Sequence, residues 1–103
     1  MYKIEYLEIA KQDIDNIIHY ISYNLNNRKA ASELIYNFSK EINRITIFPY
    51  GNSEYNPIKK LKNTYRKTKI KNYLIFYTIN EKEKTIIITR IIYYNRNLDK
   101  ILT

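Results

Sequence analysis

The chain has 103 residues with no cysteine, one histidine and one glycine, and 18 Lys/Arg against 10 Asp/Glu give a formal net charge of +8. This length supports one core, and the absence of cysteine excludes a disulfide framework, a thiolate metal site and a thiol nucleophile. The charge is divided, with 6 basic and 7 acidic side chains in residues 1–54 against 12 and 3 in residues 55–103, and no acid between Glu54 and Glu81.

Tyr2, Ile4 and Tyr6 alternate with Lys3 and Glu5, a period of two that predicts a short strand. From Ile9 the period changes: Ala10, Ile14, Ile17, Ile18, Ile21 and Leu25 recur at helical spacing, with Lys11, Asp15 and Asn16 off the stripe. Asn24 to Asn27 interrupts that helix, because asparagine tolerates left-handed backbone and caps the next one. A second stripe, Ala31, Leu34, Ile35, Phe38, Ile42, Ile45 and Phe48, stops before Pro49, which disfavours helix in the residue preceding it. Pro49-Tyr50-Gly51-Asn52-Ser53 and Asn56-Pro57 are turn chemistry. Three strands are predicted at about 64–70, 73–79 and 85–93, joined by the two-residue turn Lys71-Asn72 and by Asn80-Glu81-Lys82-Glu83-Lys84.

The expected architecture is α+β and a single domain over residues 1–103. An N-terminal strand and an antiparallel helical hairpin precede a three-stranded antiparallel meander, with the helices on one face of the sheet. Strand 73–79 is apolar on both sides of the pleat, which marks it as central. Two helices cover one side only. The other side, with Leu74 and Phe76, is expected to be open for a partner or closed by loop 49–57 and the C-terminal Leu98, Ile101 and Leu102.

Few residues offer chemistry. His19 lies beside the first helical stripe, where a solvated histidine is the expected reading. No Asp/Glu spacing suggests a metal, Gly51 alone makes no phosphate loop, and no cofactor is expected. Lys3 and Glu5 interrupt any signal-peptide core and no 18-residue apolar window occurs, so a cytoplasmic protein without a membrane segment is expected. What remains is a basic surface with tyrosines: Tyr65, Arg66, Lys67, Lys69, Lys71, Arg90, Tyr93, Tyr94 and Arg96. A one-signed field of this kind attracts polyanions or acidic partners. The 12 tyrosines themselves are weak evidence of base stacking, because a composition rich in Ile, Asn, Lys and Tyr follows A/T-rich coding.

Several residue runs add a family likeness. Ile4-Glu5-Tyr6 through Ala10, Asp13-Ile14, Tyr20-Ile21, Ala30-Ala31, Phe48-Pro49 with Gly51, Tyr65-Arg66, the run Asn72 to Tyr77, and Arg90-Ile91 followed by Arg96 resemble the RelE/ParE superfamily of bacterial toxin–antitoxin toxins. The resemblance spans nearly the whole chain. It implies a growth inhibitor held inactive, as a hetero-oligomer, by a cognate antitoxin that wraps an extended or helical segment around it. RelE-like members cut messenger RNA on the ribosome with sheet lysines and arginines and a C-terminal tyrosine or histidine, without metal; ParE-like members block DNA gyrase and are not nucleases.

For RNA cleavage the resemblance implies Arg66, Lys69, Arg90, Tyr93, Tyr94 and Arg96 as the catalytic set. For antitoxin or target binding it implies Lys67, Lys69, Lys71, Leu74, Phe76, Leu98, Ile101 and Leu102. Leu74 stands where many RelE-like relatives have arginine, and Tyr93 and Tyr94 where a histidine is frequent. The long helical hairpin looks more like ParE. The expected function is a gyrase poison; the alternatives are a ribosome-dependent mRNA interferase and a degenerate toxin that only binds its antitoxin.

Overall fold

The structure, a computed structural model, describes residues 1–52, 54 and 64–94. Strand β1 (Lys3–Tyr6) leads into helix α1 (Glu8–His19), a π-helical turn (Tyr20–Asn24) and helix α2 (Arg28–Ile47); strands β2 (Arg66–Ile70), β3 (Tyr73–Asn80) and β4 (Thr85–Tyr93) follow. The sheet order is β1-β4-β3-β2, with β1 parallel to β4 and the other pairs antiparallel. Strand β3 is therefore internal, as its two apolar faces require.

Local chemistry sets the boundaries. The side chain of Asn27 accepts from the Ala30 N–H at 3.0 Å and caps α2, and the helix ends at Ile47 with Phe48 before Pro49. Lys71 takes the left-handed backbone (φ 53) that lets two residues join β2 to β3, and Lys84 does the same (φ 49) before β4. In that second turn the Asn80 side chain accepts from the Glu83 N–H.

Both helices pack on one side of the sheet. Ala10 and Ile45 meet Ile70, Ile75, Tyr77, Ile86, Ile88 and Ile91 in the main core. The inward set of β4 changes from even to odd numbers because a bulge intervenes: Tyr77 pairs with Ile88 and Phe76 with Arg90, so Thr89 is the extra residue. Thr89 is tied in place by donating its hydroxyl to the Phe76 carbonyl at 3.0 Å.

The expected helical stripes are corrected. Leu25 is not part of the buried stripe of the first helix: it is 55% exposed. Its N–H reaches back five residues to the Tyr20 carbonyl, and in this wider π turn each residue rotates less about the axis, so the phase lags and the next stripe position lies out to solvent. Phe48 and Ile35, at 62% and 49% exposed, also lie off the core. For the outer face of the sheet two outcomes were expected, a surface open to a partner or one closed by the chain, and burial fits the second. Leu74, Phe76 and Ile92 form a second, small buried cluster with Tyr65 packed against it, and Phe76 is fully buried within the chain.

Candidate functional site: a lysine and tyrosine concavity beside strand β2

Directly opposed residues on neighbouring strands share a face, and Lys67 and Lys69 oppose Phe76 and Leu74. Both lysines therefore stand on the face away from the helices. Tyr94 joins them: its N–H donates to the Asn72 carbonyl at 2.9 Å just beyond β4, and the Lys69 ammonium lies 4.7 Å from the centre of its ring, a cation–π contact. Together with Gly51 and Asn52 these residues border a concavity of about 540 Å³. Among the described residues the Tyr94 hydroxyl has no hydrogen-bond partner.

Tyr93 does not share this place. It lies on the helix side, its ring packed edge-on against Tyr73 with centroids 5.7 Å apart. Burial pushes the Tyr73 hydroxyl up from its ordinary value, with the neighbouring Tyr93 adding to it. The two tyrosines that sequence treats as interchangeable are thus on opposite sides of the sheet, Tyr93 at the end of β4 and Tyr94 just beyond it.

The two sheet arginines are engaged elsewhere. Arg66 donates to the Asn52 carbonyl at 2.7 Å, lies 3.7 Å from the Glu54 carboxylate and stacks 5.0 Å from the Tyr50 ring centre. Arg90 forks onto Asp13 of α1, Nε to Oδ2 at 2.8 Å and Nη2 to Oδ1 at 3.0 Å. The pairing has a structural reason. Strand β1 runs beside β4 only as far as Tyr6 opposite Ile88, and beyond it the Ile91 N–H would be unpaired; Asp13 accepts that hydrogen as well, at 3.0 Å. Its carboxylate takes over from β1 at the edge, and Arg90 neutralises it, held further above its usual value by the carboxylate.

A second set of polar residues is absent from the sequence-derived sites. Arg44 on α2 forks onto Glu41, with Nε to Oε1 at 2.8 Å, and also donates to the Asn52 side chain at 2.9 Å. Asn52 donates in turn to the Tyr77 hydroxyl at 3.0 Å, and that hydroxyl donates to the Pro49 carbonyl at 2.9 Å. Thr68 of β2 donates to Glu41. Arg44 holds the Glu41 carboxyl below its ordinary value, and burial raises Tyr77. This network fastens the turn after α2 to the sheet, setting Gly51 and Asn52 at the mouth of the concavity. Gly51 itself is confined: a Cβ there would meet the Phe48 carbonyl oxygen at 3.2 Å. The signal in the sequence was the Glu41/Arg44 pair at helical spacing; Tyr77 as its distant anchor had none.

Lys71 is exposed at the β2–β3 turn. His19 is exposed on α1 and packs on the Tyr23 ring, 4.7 Å between centroids. Arg96, Leu98, Ile101 and Leu102 lie outside the described residues. Among the described residues no three of His, Cys, Asp and Glu come together as metal ligands, and no helix is long and apolar enough to cross a membrane.

The family model for the ParE toxin of the type II toxin–antitoxin system, parDE, matches residues 4–98. This chain belongs to that toxin family. No curated protein matches it in sequence. In fold the toxin is similar to a metal-bound toxin from Helicobacter pylori, with TM-score 0.59 and 20% identity over 88% of this chain and 92% of that one. It is similar also to the isolated E. coli RelE toxin, with TM-score 0.59 and 14% identity over 99% of this chain and 100% of that one. Sheet order, helical hairpin and family match agree on a RelE/ParE-type toxin, and the family pairs such toxins with cognate antitoxins.

Proposed function

We propose that this toxin inhibits growth as a ParE-like poison of DNA gyrase rather than as a ribosome-dependent mRNA interferase. The observation that carries the reading is the engagement of Arg66 by Asn52 and Glu54 and of Arg90 by Asp13. Hydrolysis or transfer at an RNA phosphate needs cations aimed at the developing charge and a group that moves a proton. Here the two sheet arginines face protein carboxylates and carbonyls, Tyr93 faces the helices, and Lys69 with Tyr94 is left beside Lys67 on the outer face. Those residues, with Lys71 at the turn, form a basic surface suited to docking on an acidic protein or on DNA-bound gyrase.

Induction of the toxin in the absence of its antitoxin is expected to produce double-strand DNA breaks while messenger RNA stays intact. Purified toxin is expected to inhibit supercoiling by gyrase. Replacing Tyr94 with phenylalanine keeps the ring under Lys69 and removes only the hydroxyl, so toxicity should change less than about 3-fold, where loss of a true acid or base costs about 10²-fold or more. Cleavage of ribosome-bound messenger RNA by the purified protein would overturn the reading. A toxin that neither breaks DNA nor cuts RNA, yet binds antitoxin, would be a degenerate member.

A further inference from the structure

A second concavity lies at the open end of the helical hairpin. There a groove of about 750 Å³ runs between Tyr20 and Leu25 of the π turn on one wall and Tyr73 and Tyr93 of the sheet on the other. Through Ile17, Leu34 and Tyr73 it is continuous with a cavity of about 70 Å³ between the hairpin and the sheet, whose walls, Ile14, Ile75 and Ile91 among them, are aliphatic and aromatic. Ile14, Ile17, Leu34 and Tyr73 pack on the main core and yet stay only partly buried. Such walls offer water no hydrogen bonds, and their side chains lack the van der Waals partners that a close-packed interior supplies. The volume is less than half of the ~150 Å³ that takes a benzene ring, so the cavity admits about three carbons of a linear chain and no ring.

Polar groups gather at the other end of this path. Burial raises the Tyr73 hydroxyl, and Tyr93 and Tyr20 raise it further, so three phenols lie within electrostatic reach of one another along the groove. Among the described residues none of the three hydroxyls has a hydrogen-bond partner. A protonated phenol donates, and the Lys71 ammonium on the same wall adds donors that carry charge. Arg28 and Lys29 flank the wall residues Asn27 and Ala30 in the first turn of α2, against Glu33 as the one acid of the wall. Concave, mainly apolar walls with a few convergent polar groups are the usual form of a small-molecule site, and donors with an excess of positive charge select an anionic acceptor. We propose that groove and cavity together bind a medium-chain carboxylate, a linear fatty acid whose methyl end enters the cavity and whose head lies against Lys71 and the tyrosine hydroxyls. The site shares no residue with the concavity of Lys67, Lys69 and Tyr94, and the inference is independent of the choice of target.

The test titrates the full-length toxin with hexanoate, octanoate and decanoate below their micellar concentrations, read by calorimetry and by methyl NMR. Octanoate should bind saturably and shift the methyl signals of Ile17, Leu34 and Ile91, and each added methylene should tighten binding by about 3- to 4-fold until the chain outgrows the groove. Octylamine has the same chain with the opposite charge and should bind about 10-fold more weakly or worse. Lys71→Asn keeps a residue that tolerates left-handed backbone, and should weaken octanoate by about 10-fold while leaving octanol unchanged. Lys82→Asn, exposed in the β3–β4 turn, should change neither. Leu34→Phe fills the cavity and should weaken octanoate by about 10-fold or more; if it unfolds the toxin, the chain-length series and Lys71→Asn decide. Absence of saturable binding, equal affinity for octanoate and octylamine, or wild-type affinity in a folded Leu34→Phe would overturn the proposal. So would cosedimentation with phosphatidylglycerol vesicles while free octanoate stays unbound, because the groove would then be a membrane contact. Gyrase activity enters none of these readouts, so failure of the gyrase reading leaves the result interpretable.

Discussion

Replacing Asp13 with alanine tests the central claim about the sheet arginines. The carboxylate accepts three hydrogen bonds, two from Arg90 and one from the Ile91 N–H, and the two side chains are only 13% and 18% exposed. Removing one member of a buried ion pair costs about 3–5 kcal/mol, because the other charge stays behind uncompensated. The residual exposure of Arg90 lets water take part of that load, so the low end, about 3 kcal/mol, applies here. The orphaned Ile91 N–H adds about 1 kcal/mol, for a total near 4 kcal/mol. A chain of this size is stable by about 5–15 kcal/mol, so Asp13→Ala should survive with a melting temperature lower by roughly 15–30 °C.

Asp13→Asn keeps the volume and an acceptor for Ile91 and should lose less, by about 1–2 kcal/mol. Urea unfolding of wild type, Asp13→Ala, Arg90→Met and the double variant closes a thermodynamic cycle, with unchanged m values as the condition for reading the midpoints as stability. The double variant should be more stable than the sum of the singles implies, by about 2 kcal/mol. A cost under about 1 kcal/mol for Asp13→Ala, or additivity within about 0.5 kcal/mol, would refute the pairing and return Arg90 to the pool of cations able to meet a substrate.

Three further outcomes follow from the same structure. Tyr77→Phe removes a buried hydroxyl that joins Asn52 to the Pro49 carbonyl, and should cost about 1–2 kcal/mol in urea unfolding while speeding amide exchange in residues 50–52; an unchanged loop would show that the network does not hold it. Glu81 carries Lys84, Tyr50 and Tyr2 on its carboxylate and is held down at about 2 from 4.5, so its contribution to stability is complete above pH 4.5 and is lost as the pH falls from there toward 2. Thermal melts across that window should fall less steeply for Glu81→Gln than for wild type, and Glu41, also lowered, should account for part of what remains. Lys71→Gly relieves a left-handed residue at the β2–β3 turn and should raise the urea midpoint by about 0.5 kcal/mol in stability; a drop would mean that the Lys71 side chain contributes more than its backbone costs.

The features legible in the sequence are those fixed by nearby residues. The change of period at Ile9, the Asn27 cap, the stop before Pro49 and the Lys71-Asn72 hairpin each depend on a few positions, and the structure has all of them. Leu25 escapes this logic because its phase is set by one five-residue hydrogen bond, which no apolar spacing reveals. The outward turn of Ile92 after the inward Ile91 likewise depends on a bulge at Thr89 that exists only against its partner strand.

The basic run shows the same division more sharply. Its charge is a sum over sequence, but the charge a partner meets is what the fold leaves unpaired. Asp13 lies 77 residues from Arg90 and Asn52 lies 14 from Arg66, so neither pairing is visible in a local count. Lys69 and Lys71 remain exposed because their strand is at the edge and their turn projects, not because the run is basic. A one-signed stretch is therefore an upper bound on the cations available for function, and here the fold withdraws Arg66 from it, as it withdraws Arg90 farther along the chain.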